Sequence, residues 1–425
     1  MNLPDPTTPL NGIANARLPA WLLPAGWPLQ AGEPVTADLR FDTGKIASVT
    51  PYQPDQHDLW NAHGTLALPG LIEPHAHLDK TFTIARSRPS TPGLLAAIET
   101  LHQDRQHWTA DDLRQRARKG LAWAAANGVT RLRTHIDWID TTPLAWLELG
   151  EMPHTGVTLE RVALAPLSLF ADASTADRIA RTVAESGKHC LLGGFVHSSN
   201  WDPAAMRNLM QSASRWKLNL DLHIDEELSP VAYGLSWLAD YLSQTDFSGH
   251  ICCSHGCALA SGSEQQAQEI LSLLAAQRVT LIALPMTNLL LQDAVTGRTP
   301  RQRGITLLKE AQTAGVPLLL GCDNVQDAFC PAGSYDPLDT LSCALFALQL
   351  NDIFDQQSRL ICDVAALTGD DQGGLPLSPG SDASLVLFPG SDSLTWPLHS
   401  AARLVIRHGR LTHQRTWNQE LSHES

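Results

Sequence analysis

The segment LIEPHAHLDK, residues 71–80, places two histidines one residue apart at the end of an apolar run. Alternate residues of a β-strand point to the same face, so the imidazoles of His75 and His77 can share one metal ion. The residues just before them, LALPGLI at 66–72, are typical of a buried parallel strand entered through a Pro-Gly break. A His-x-His pair alone is a weak metal signal, and it gains weight from polar residues that follow later strands.

The composition indicates a large soluble chain. Its 425 residues can bury more than one small core, which allows a barrel with an accessory domain. The formal net charge of −14 disfavours nucleic acid and anionic membranes as partners. No apolar run approaches the ~20 residues of a membrane span, no signal peptide is visible, and the eight cysteines include no Cys-x-x-Cys pair. We therefore expect a cytoplasmic protein with reduced thiols.

Eight apolar runs alternate with helix-like segments through the middle of the chain. After the first strand, further strands are predicted at residues 129–137, 161–167, 191–197, 218–225, 250–255, 280–285 and 316–323. Helix-like segments separate most of them, among others residues 111–127, 175–186, 203–217, 263–277 and 302–314. This alternation predicts an α/β fold, a (β/α)8 TIM barrel, whose active site lies at the carboxyl ends of the strands. A doubly wound sheet is the alternative, and it is less favoured because no Gly-x-Gly-x-x-Gly opens the first helix.

Short strand-like pieces at both ends of the chain predict a second, smaller unit. A hairpin is predicted within residues 38–49, and strands are predicted at residues 383–388 and 403–407, with a turn at Gly409. We expect the two ends to pack together as one composite β-sandwich domain. The predicted division is residues 1–65 and 371–425 for the two parts of this β domain, and residues 66–370 for the catalytic barrel.

Polar side chains follow the predicted strands where a TIM barrel has its active site. They are His75 and His77 at the first strand, His135 and Asp137 at the second, His223 and Glu226 at the fifth, His255 at the sixth and Asp323 at the eighth. Three histidines and one aspartate suit a first-row divalent ion and would leave a position for water. Such an ion lowers the pKa of its water, and a nearby unbound carboxylate, for which Glu226 has the right reach, could then move protons.

This set of motifs resembles the amidohydrolase superfamily, and within it the cytosine deaminase-like branch, over nearly the whole chain. The resemblance implies that one divalent ion, zinc or iron with manganese as a further choice, is bound by His75, His77, His223 and Asp323. It also implies catalytic roles for Glu226, which would protonate the substrate ring, for His255, which would hold the attacking water, and for Asp323. The fourth predicted strand carries no lysine that could be carbamylated to bridge a second ion, which supports a single-metal site.

Several of these side chains also have a purely structural interpretation. Glu226 could be a solvated loop acid. His135 and Asp137 could either orient metal ligands or close an internal hydrogen-bond network. Asp79 and Lys80 could contact substrate or form a structural ion pair near the barrel mouth.

Three differences from the cytosine deaminases bear on the substrate. Where that branch carries a glutamine that reads the pyrimidine edge, this chain has Leu167, which can neither donate nor accept a hydrogen bond. Asn324 replaces a second aspartate, and Phe329 takes the place of a tryptophan over the pocket. We expect these three residues to contact the substrate. The expected reaction is a deamination at an amino-bearing carbon of a pyrimidine- or triazine-like ring other than cytosine. An alkylamine leaving group, as in the ammelide aminohydrolases of this branch, would fit an apolar pocket.

Two other functions are open at this point. The same hydroxide could open the ring of a cyclic amide or imide, with Glu226 protonating a ring nitrogen as it leaves. A barrel that only binds a ligand is the second alternative, and the intact set of metal-ligating and catalytic residue types argues against it. The expected partner is a small heterocycle, with neither nucleic acid nor membrane, and the resemblance implies a homo-oligomer.

Overall fold

The structure combines an α/β barrel with two four-stranded β-sheets and a small two-stranded sheet of β2 and β3. This computed structural model describes residues 3–54, 58–139, 141–153, 156–370, 375–398 and 402–415. Its strands are β1 (Gly12–Ala16), β2 (Leu29–Gln30), β3 (Glu33–Pro34), β4 (Ala37–Asp42), β5 (Lys45–Pro51), β6 (Trp60–Asn61), β7 (Leu66–Pro69), β8 (Leu71–Ala76), β9 (Val129–Asp137), β10 (Thr158–Pro166), β11 (Cys190–Val196), β12 (Leu220–Ile224), β13 (Ile251–His255), β14 (Thr280–Ala283), β15 (Leu318–Leu320), β16 (Leu385–Phe388), β17 (Arg403–Arg407) and β18 (Arg410–Arg415).

Eleven α-helices and six short 3-10 helices lie in the described part of the chain. The α-helices are α1 (Leu94–Asp104), α2 (Ala110–Ala126), α3 (Leu144–Gly150), α4 (Ala173–Glu185), α5 (Pro203–Trp216), α6 (Tyr233–Gln244), α7 (Glu264–Ala276), α8 (Pro285–Leu291), α9 (Leu308–Ala314), α10 (Pro337–Ala347) and α11 (Val364–Thr368). The 3-10 helices are Ala20–Leu22, Arg105–His107, Leu167–Phe170, Ser198–Asn200, Cys257–Ser261 and Gln357–Ile361. None of these helices is both long and apolar enough to cross a membrane.

Strands β8 to β15 form one parallel sheet in the order of the chain. The sheet closes into a barrel, because Ala76 of β8 forms a parallel bridge with Asp323, just after β15. At this junction the backbone N–H of Asp323 donates to the His75 carbonyl at 2.8 Å. Apolar residues of the strands and of the surrounding helices share one large buried core. The predicted TIM barrel is therefore confirmed, and the closed sheet excludes the doubly wound alternative.

Two four-stranded sheets lie beside the barrel. One has the order β5-β4-β1-β6, and the other has the order β18-β17-β16-β7. Both sheets contribute to a single buried cluster, which includes Ile13 and Leu39 from the first sheet and Leu385 and Leu404 from the second. The expectation that both ends of the chain build one β unit is confirmed, whereas the predicted domain limits at residues 65 and 370 stay a prediction.

The first barrel strand differs from its prediction, which placed residues 66–72 in one strand. The chain divides at Gly70, so that β7 pairs antiparallel with β16 in the terminal sheet and β8 begins the barrel at Leu71. A Cβ atom on Gly70 would lie 2.3 Å from Cγ2 of Thr130, so the crossing between the two sheets requires a residue without a side chain. Both strands are fully buried, and the apolar pattern therefore cannot separate them.

The predicted helices correspond to α2, α4, α5, α7 and α9, and the first four agree with the prediction to within two residues at each end. These four begin after a side chain that caps the first turn, namely Thr109, Asp172, Asp202 and Ser263. Helix α9 begins at Leu308 rather than at residue 302. Just before it, the hydroxyl of Thr306 donates a hydrogen bond to the carbonyl of His255, so packing against the site replaces helical structure there.

Candidate active site

Four buried side chains meet at the carboxyl ends of the barrel strands, and their ligand atoms all lie within 4.8 Å of one another. They are His75, His77, His223 and Asp323. Nε2 of His223 lies 3.1 Å from Nε2 of His75 and 3.3 Å from Nε2 of His77. Oδ1 of Asp323 lies 3.0 Å from Nε2 of His77 and 3.5 Å from Nε2 of His75. The structure thus brings together all four residues predicted as metal ligands.

These separations fit the edges of a tetrahedron around one ion. Bonds of about 2.0–2.1 Å at tetrahedral angles place neighbouring ligand atoms roughly 3.3 Å apart. Without an ion, the facing Nε2 atoms of His75 and His223 could share only one proton, and each also approaches a further nitrogen or oxygen. The donor set of three imidazoles and a carboxylate is one that zinc, iron and manganese accept.

Burial sets the protonation of this group. It lowers the pKa of His75 to about 3 and the pKa of His223 well below its usual value, so both imidazoles are neutral, the form that binds metals. Burial alone would raise the pKa of Asp323, but hydrogen bonds from His75 and His77 outweigh it and hold that pKa well below its usual range. His75 and His223 therefore present neutral nitrogen donors beside one carboxylate.

A buried polar network holds the ring of His75 from behind. Its Nδ1 lies 2.7 Å from the hydroxyl of Ser254, and its ring stacks on His135 with centroids 3.8 Å apart. Nε2 of His135 lies 3.1 Å from Asp221, which also pairs with the buried Arg133 at 2.7 Å. His135 therefore belongs to an internal network that packs against a candidate ligand, and its role in orienting that ligand stays a prediction.

Asp137 joins two cations at the cavity wall. Nζ of Lys80 lies 2.8 Å, and Nη2 of Arg105 lies 2.6 Å, from Oδ2 of Asp137. Burial alone would raise the pKa of Asp137, but Lys80 and Arg105 outweigh it and keep that pKa well below its usual range. Asp79 accepts the backbone N–H of Asp137 at 3.1 Å and is itself fully buried. Lys80 and Asp137 line the cavity, so they are both an ion pair and accessible to a ligand.

Glu226 and His255 face the same cavity. Nδ1 of His255 lies 3.5 Å from Oε1 of Glu226. Burial, reinforced by the negative charge of Asp323, raises the pKa of Glu226 well above its usual value. Burial lowers the pKa of His255 to about 3. A carboxyl group that keeps its proton beside a neutral imidazole is suited to donate to a ring nitrogen of a bound heterocycle.

Three residues at the strand ends adopt the left-handed backbone region, with φ of 53° at Asp225, 73° at His255 and 63° at Asp323. Residues other than glycine rarely adopt this backbone conformation, so surrounding contacts must hold it in place. The carboxylate of Asp225 accepts the backbone N–H groups of Gly234 and Leu235 at 2.9 and 2.8 Å, at the start of α6. This contact fixes the turn after β12 that carries Glu226 into the cavity.

A cavity of about 340 Å³ opens beside the candidate metal ligands. Its other walls are mainly apolar and include Leu94, Ile98, Leu101, Trp138, Leu164, Pro166, Phe195 and Phe329. Helix α1 contributes Leu94, Ile98 and Leu101, and the 3-10 helix after it contributes Arg105. Asn324 and Phe329 line the cavity. Leu167 does not: the chain turns into a 3-10 helix at this residue, whose side chain is fully buried in the main core.

Sequence reasoning missed Asn288, which lies in α8 just after the seventh barrel strand, a strand with no polar residue at its predicted end. Its Nδ2 lies 3.0 Å from Nδ1 of His255 and 3.4 Å from Oε1 of Glu226. Gln292, one helical turn later, donates to the carbonyl of Glu226 at 3.2 Å. The available signal was an amide in an otherwise apolar segment, PMTNLLLQ, with a second amide four residues on. Arg105 was also missed, because a lone arginine in a polar helix end carries no pattern.

Residues 109–413 match the sequence profile of the amidohydrolase family. The chain belongs to this family. The superfamily and the hydrolase class predicted from the motifs are thereby confirmed. The barrel of β8 to β15, which carries the candidate metal ligands on or just after β8, β12 and β15, is thus the barrel of an amidohydrolase.

Relatives of this amidohydrolase include enzymes named for reactions on nitrogen heterocycles. It is 30% identical over 415 residues to a pterin deaminase of Rhizobium rhizogenes, covering 94% of this chain and 93% of the relative. It is 23% identical over 375 residues to an N-isopropylammelide isopropyl amidohydrolase of Pseudomonas sp. strain ADP, covering 83% and 87%. The solved structure of a 5-methylcytosine deaminase from Klebsiella pneumoniae matches with a TM-score of 0.81 at 24% identity, covering 96% of this chain and 99% of the other. The barrel and the flanking sheets of the amidohydrolase therefore form a shared fold.

Proposed function

We propose that this amidohydrolase is a mononuclear metal-dependent aminohydrolase that releases an amino group from a small nitrogen heterocycle. The observation that carries the proposal is the convergence of His75, His77, His223 and Asp323 on one point beside Glu226, inside a cavity. The relatives support it, since a pterin deaminase and a 5-methylcytosine deaminase share the family or the fold.

In this proposal, the four candidate ligands hold one divalent ion, which when bound supplies a water of lowered pKa for attack on the ring. Glu226 keeps its proton because it is buried, and it donates that proton to the ring nitrogen next to the amino-bearing carbon. His255 holds the attacking oxygen in place by a hydrogen bond. The carboxylate of Glu226 then takes one proton of the attacking water and passes it to the departing nitrogen. As ammonia or an amine leaves and the ring keeps a carbonyl, the second proton of that water returns to Glu226, which restores the protonated acid.

The proposed substrate is an amino-bearing ring of one or two fused cycles. Pterins come first, because the relative with 30% identity over nearly the whole chain is named a pterin deaminase. Pyrimidine- and triazine-like rings are the other members of the class. Phe195, Trp138 and Phe329 provide aromatic walls against which a flat ring can pack, and Lys80 with Asp137 provides a polar edge.

The metal is proposed to be zinc or iron, with manganese as a third choice, because a His₃Asp set accepts all three and supply decides among them. Treatment of the protein with a chelator should remove about one ion per chain and abolish activity. Reconstitution with each of the three metals, followed by metal analysis and an activity assay, identifies those that restore turnover. An active protein free of these metals would contradict the proposal.

Ammonia release, coupled to a dehydrogenase, tests the reaction. The metal-loaded protein is assayed with pterins, amino-pyrimidines, amino-triazines and cyclic ureides, beside a Glu226→Gln variant with unchanged metal content. We expect the wild type to release ammonia from one class of ring. The rate of release should be about 10²–10⁴-fold lower in the Glu226→Gln variant. If no amino compound releases ammonia and a cyclic ureide is hydrolysed, the proposed deamination is wrong and ring opening is the reaction.

We further propose a cytoplasmic location and a homo-oligomeric state. All eight cysteines are free thiols, and seven of them are buried, which suits a reducing compartment. The net charge of −14 again disfavours nucleic acid and anionic membranes as partners. Fractionation of the source cells tests the location, and sedimentation of the purified chain tests the oligomer, with a monomer as the contradicting outcome.

A further inference from the structure

Helix α8 and Gln292, the residue that follows it, bring two buried amide side chains to Glu226 and His255. Asn288 is fully buried and lies behind His255 and Glu226 rather than in the cavity wall. Gln292 holds the backbone carbonyl of Glu226 at 3.2 Å. The backbone N–H of Gln292 also donates to the carbonyl of Asn288 at 2.9 Å, so both amides belong to one rigid helical turn. This segment therefore reaches the candidate acid and the candidate water-binding histidine from outside the cavity lining.

The contact between Asn288 and His255 decides where the imidazole carries its proton. A neutral imidazole has one N–H donor and one bare nitrogen acceptor. Nδ1 of His255 lies 3.0 Å from the amide nitrogen of Asn288, which can only donate. Nδ1 is then the acceptor and Nε2 carries the hydrogen. Nε2 of His255 has no hydrogen-bond partner among the described residues, although it is buried and its ring lines the cavity.

The same amide group also orders the carboxyl of Glu226. Its nitrogen approaches Oε1 at 3.4 Å, and this oxygen accepts whether the carboxyl is ionised or protonated. A proton on Glu226 is then placed on Oε2. One NH₂ group thus fixes both the tautomer of the histidine and the proton-bearing oxygen of the acid.

We propose that Asn288 is a positioning residue that keeps the proton of His255 on Nε2, so that this histidine serves as a hydrogen-bond donor to the attacking oxygen. Glu226 is then the group that moves protons, and His255 stabilises developing negative charge without acting as a base. This inference rests on the proposed aminohydrolase function for its kinetic consequences, but the tautomer itself is a property of the folded protein.

Two substitutions at Asn288 separate this role from packing. Asn288→Ala removes the donor, and Asn288→Asp keeps the shape but offers an acceptor that draws the proton onto Nδ1. We expect Asn288→Ala to lower kcat about 100-fold with KM changed less than about threefold. Asn288→Asp should lower kcat by at least as large a factor as Asn288→Ala. A packing role predicts the reverse order, because the isosteric aspartate would then be the milder change.

A double-mutant cycle tests whether Asn288 acts through His255. In a His255→Gln background, Asn288→Ala should lower kcat only a fewfold more, since its partner is already absent. Full additivity of the two losses would overturn the proposal. Thr287→Val serves as the control, because Thr287 is an equally buried neighbour in α8 and should leave kcat unchanged. Metal content and the melting temperature are measured for each variant, to separate loss of fold or metal from loss of turnover.

The tautomer is read directly from the ¹⁵N shifts of histidine-labelled, metal-loaded protein, with His255 assigned by its absence in His255→Gln. Protonated Nε2 in the wild type and protonated Nδ1 in Asn288→Asp are expected. Protonated Nδ1 in the wild type would overturn the inference even if the enzyme deaminates. Conversely, a wild type inactive on every amino heterocycle but protonated at Nε2 would refute the proposed function alone.

Discussion

Some residues of the candidate site could be predicted from the sequence, and others could not. Histidines and carboxylates that follow apolar strands were visible, because the carboxyl ends of parallel strands meet at one face of a barrel. Asn288 was not visible, because its role depends on the distance between α8 and His255, which no local pattern encodes. Leu167 was assigned to the substrate from the resemblance alone, and the turn into a 3-10 helix places it in the core.

At the scale of single residues, removal of a metal ligand should lower the metal content while the chain still folds. His223→Ala removes one of three imidazole donors, and we expect the purified variant to retain well under half of the metal of the wild type, with activity lost. Atomic absorption and ammonia release check this. His413→Ala, at an exposed histidine of β18 far along the chain from the site, is the matched control. A His223→Ala protein with full metal content would refute the ligand assignment.

Leu167 and Phe329 should respond differently to truncation, also at residue scale. Leu167→Ala creates a cavity in the main core, and we expect the free energy of unfolding to fall by about 2–5 kcal/mol with KM little changed. Phe329→Ala removes a wall of the cavity and should mainly raise KM. Denaturant titration and steady-state kinetics of both variants check the contrast. A large rise in KM for Leu167→Ala would return this residue to the substrate pocket.

Elements were predicted best where the hydrophobic period was regular. Helices α2, α4, α5 and α7 carry both the apolar stripe and a capping residue, and their limits were correct to within two residues. The boundary between β7 and β8 was missed because a change of sheet at Gly70 leaves the apolar pattern unbroken. Helix α1 was missed as part of the cavity wall, since the packing of a helix beside the strand ends is a tertiary property.

At the scale of elements, Gly70→Ala should strain the crossing from β7 to β8. The added methyl would meet Cγ2 of Thr130 at 2.3 Å, and we expect a loss of about 1–3 kcal/mol in the free energy of unfolding. Thr130→Ala in the same chain removes the clashing methyl and should recover part of that loss, although it also removes a hydrogen bond to the Leu71 carbonyl. Urea titration of the single and double variants checks the coupling; simple additivity of the two losses would rule out this contact.

For the whole molecule, the barrel and the flanking sheets are joined by a buried ion pair. Arg403 lies on β17, and Asp336 lies at the start of α10. Nη1 of Arg403 donates to Oδ1 of Asp336 at 2.9 Å, and Nη2 donates to Oδ2 at 2.8 Å. We expect Asp336→Ala to cost about 3–5 kcal/mol of unfolding free energy, because the buried guanidinium loses its carboxylate. Asp382→Ala, which breaks the half-exposed pair with Lys45, should change stability little. Thermal melting of both variants tests this, and equal shifts would show that the buried pair does not couple the two units.

The pairing of β7 with β16 also sets an order of events during translation. Strand β7 leaves the ribosome about 320 residues before its partner. At 5–20 residues per second this interval lasts roughly 15 to 65 s. For that time an apolar strand has an open edge beside the first strand of the barrel, and open apolar edges recruit other chains. Strand β7 therefore needs the late-synthesised β16, or a chaperone, before it can reach its final environment.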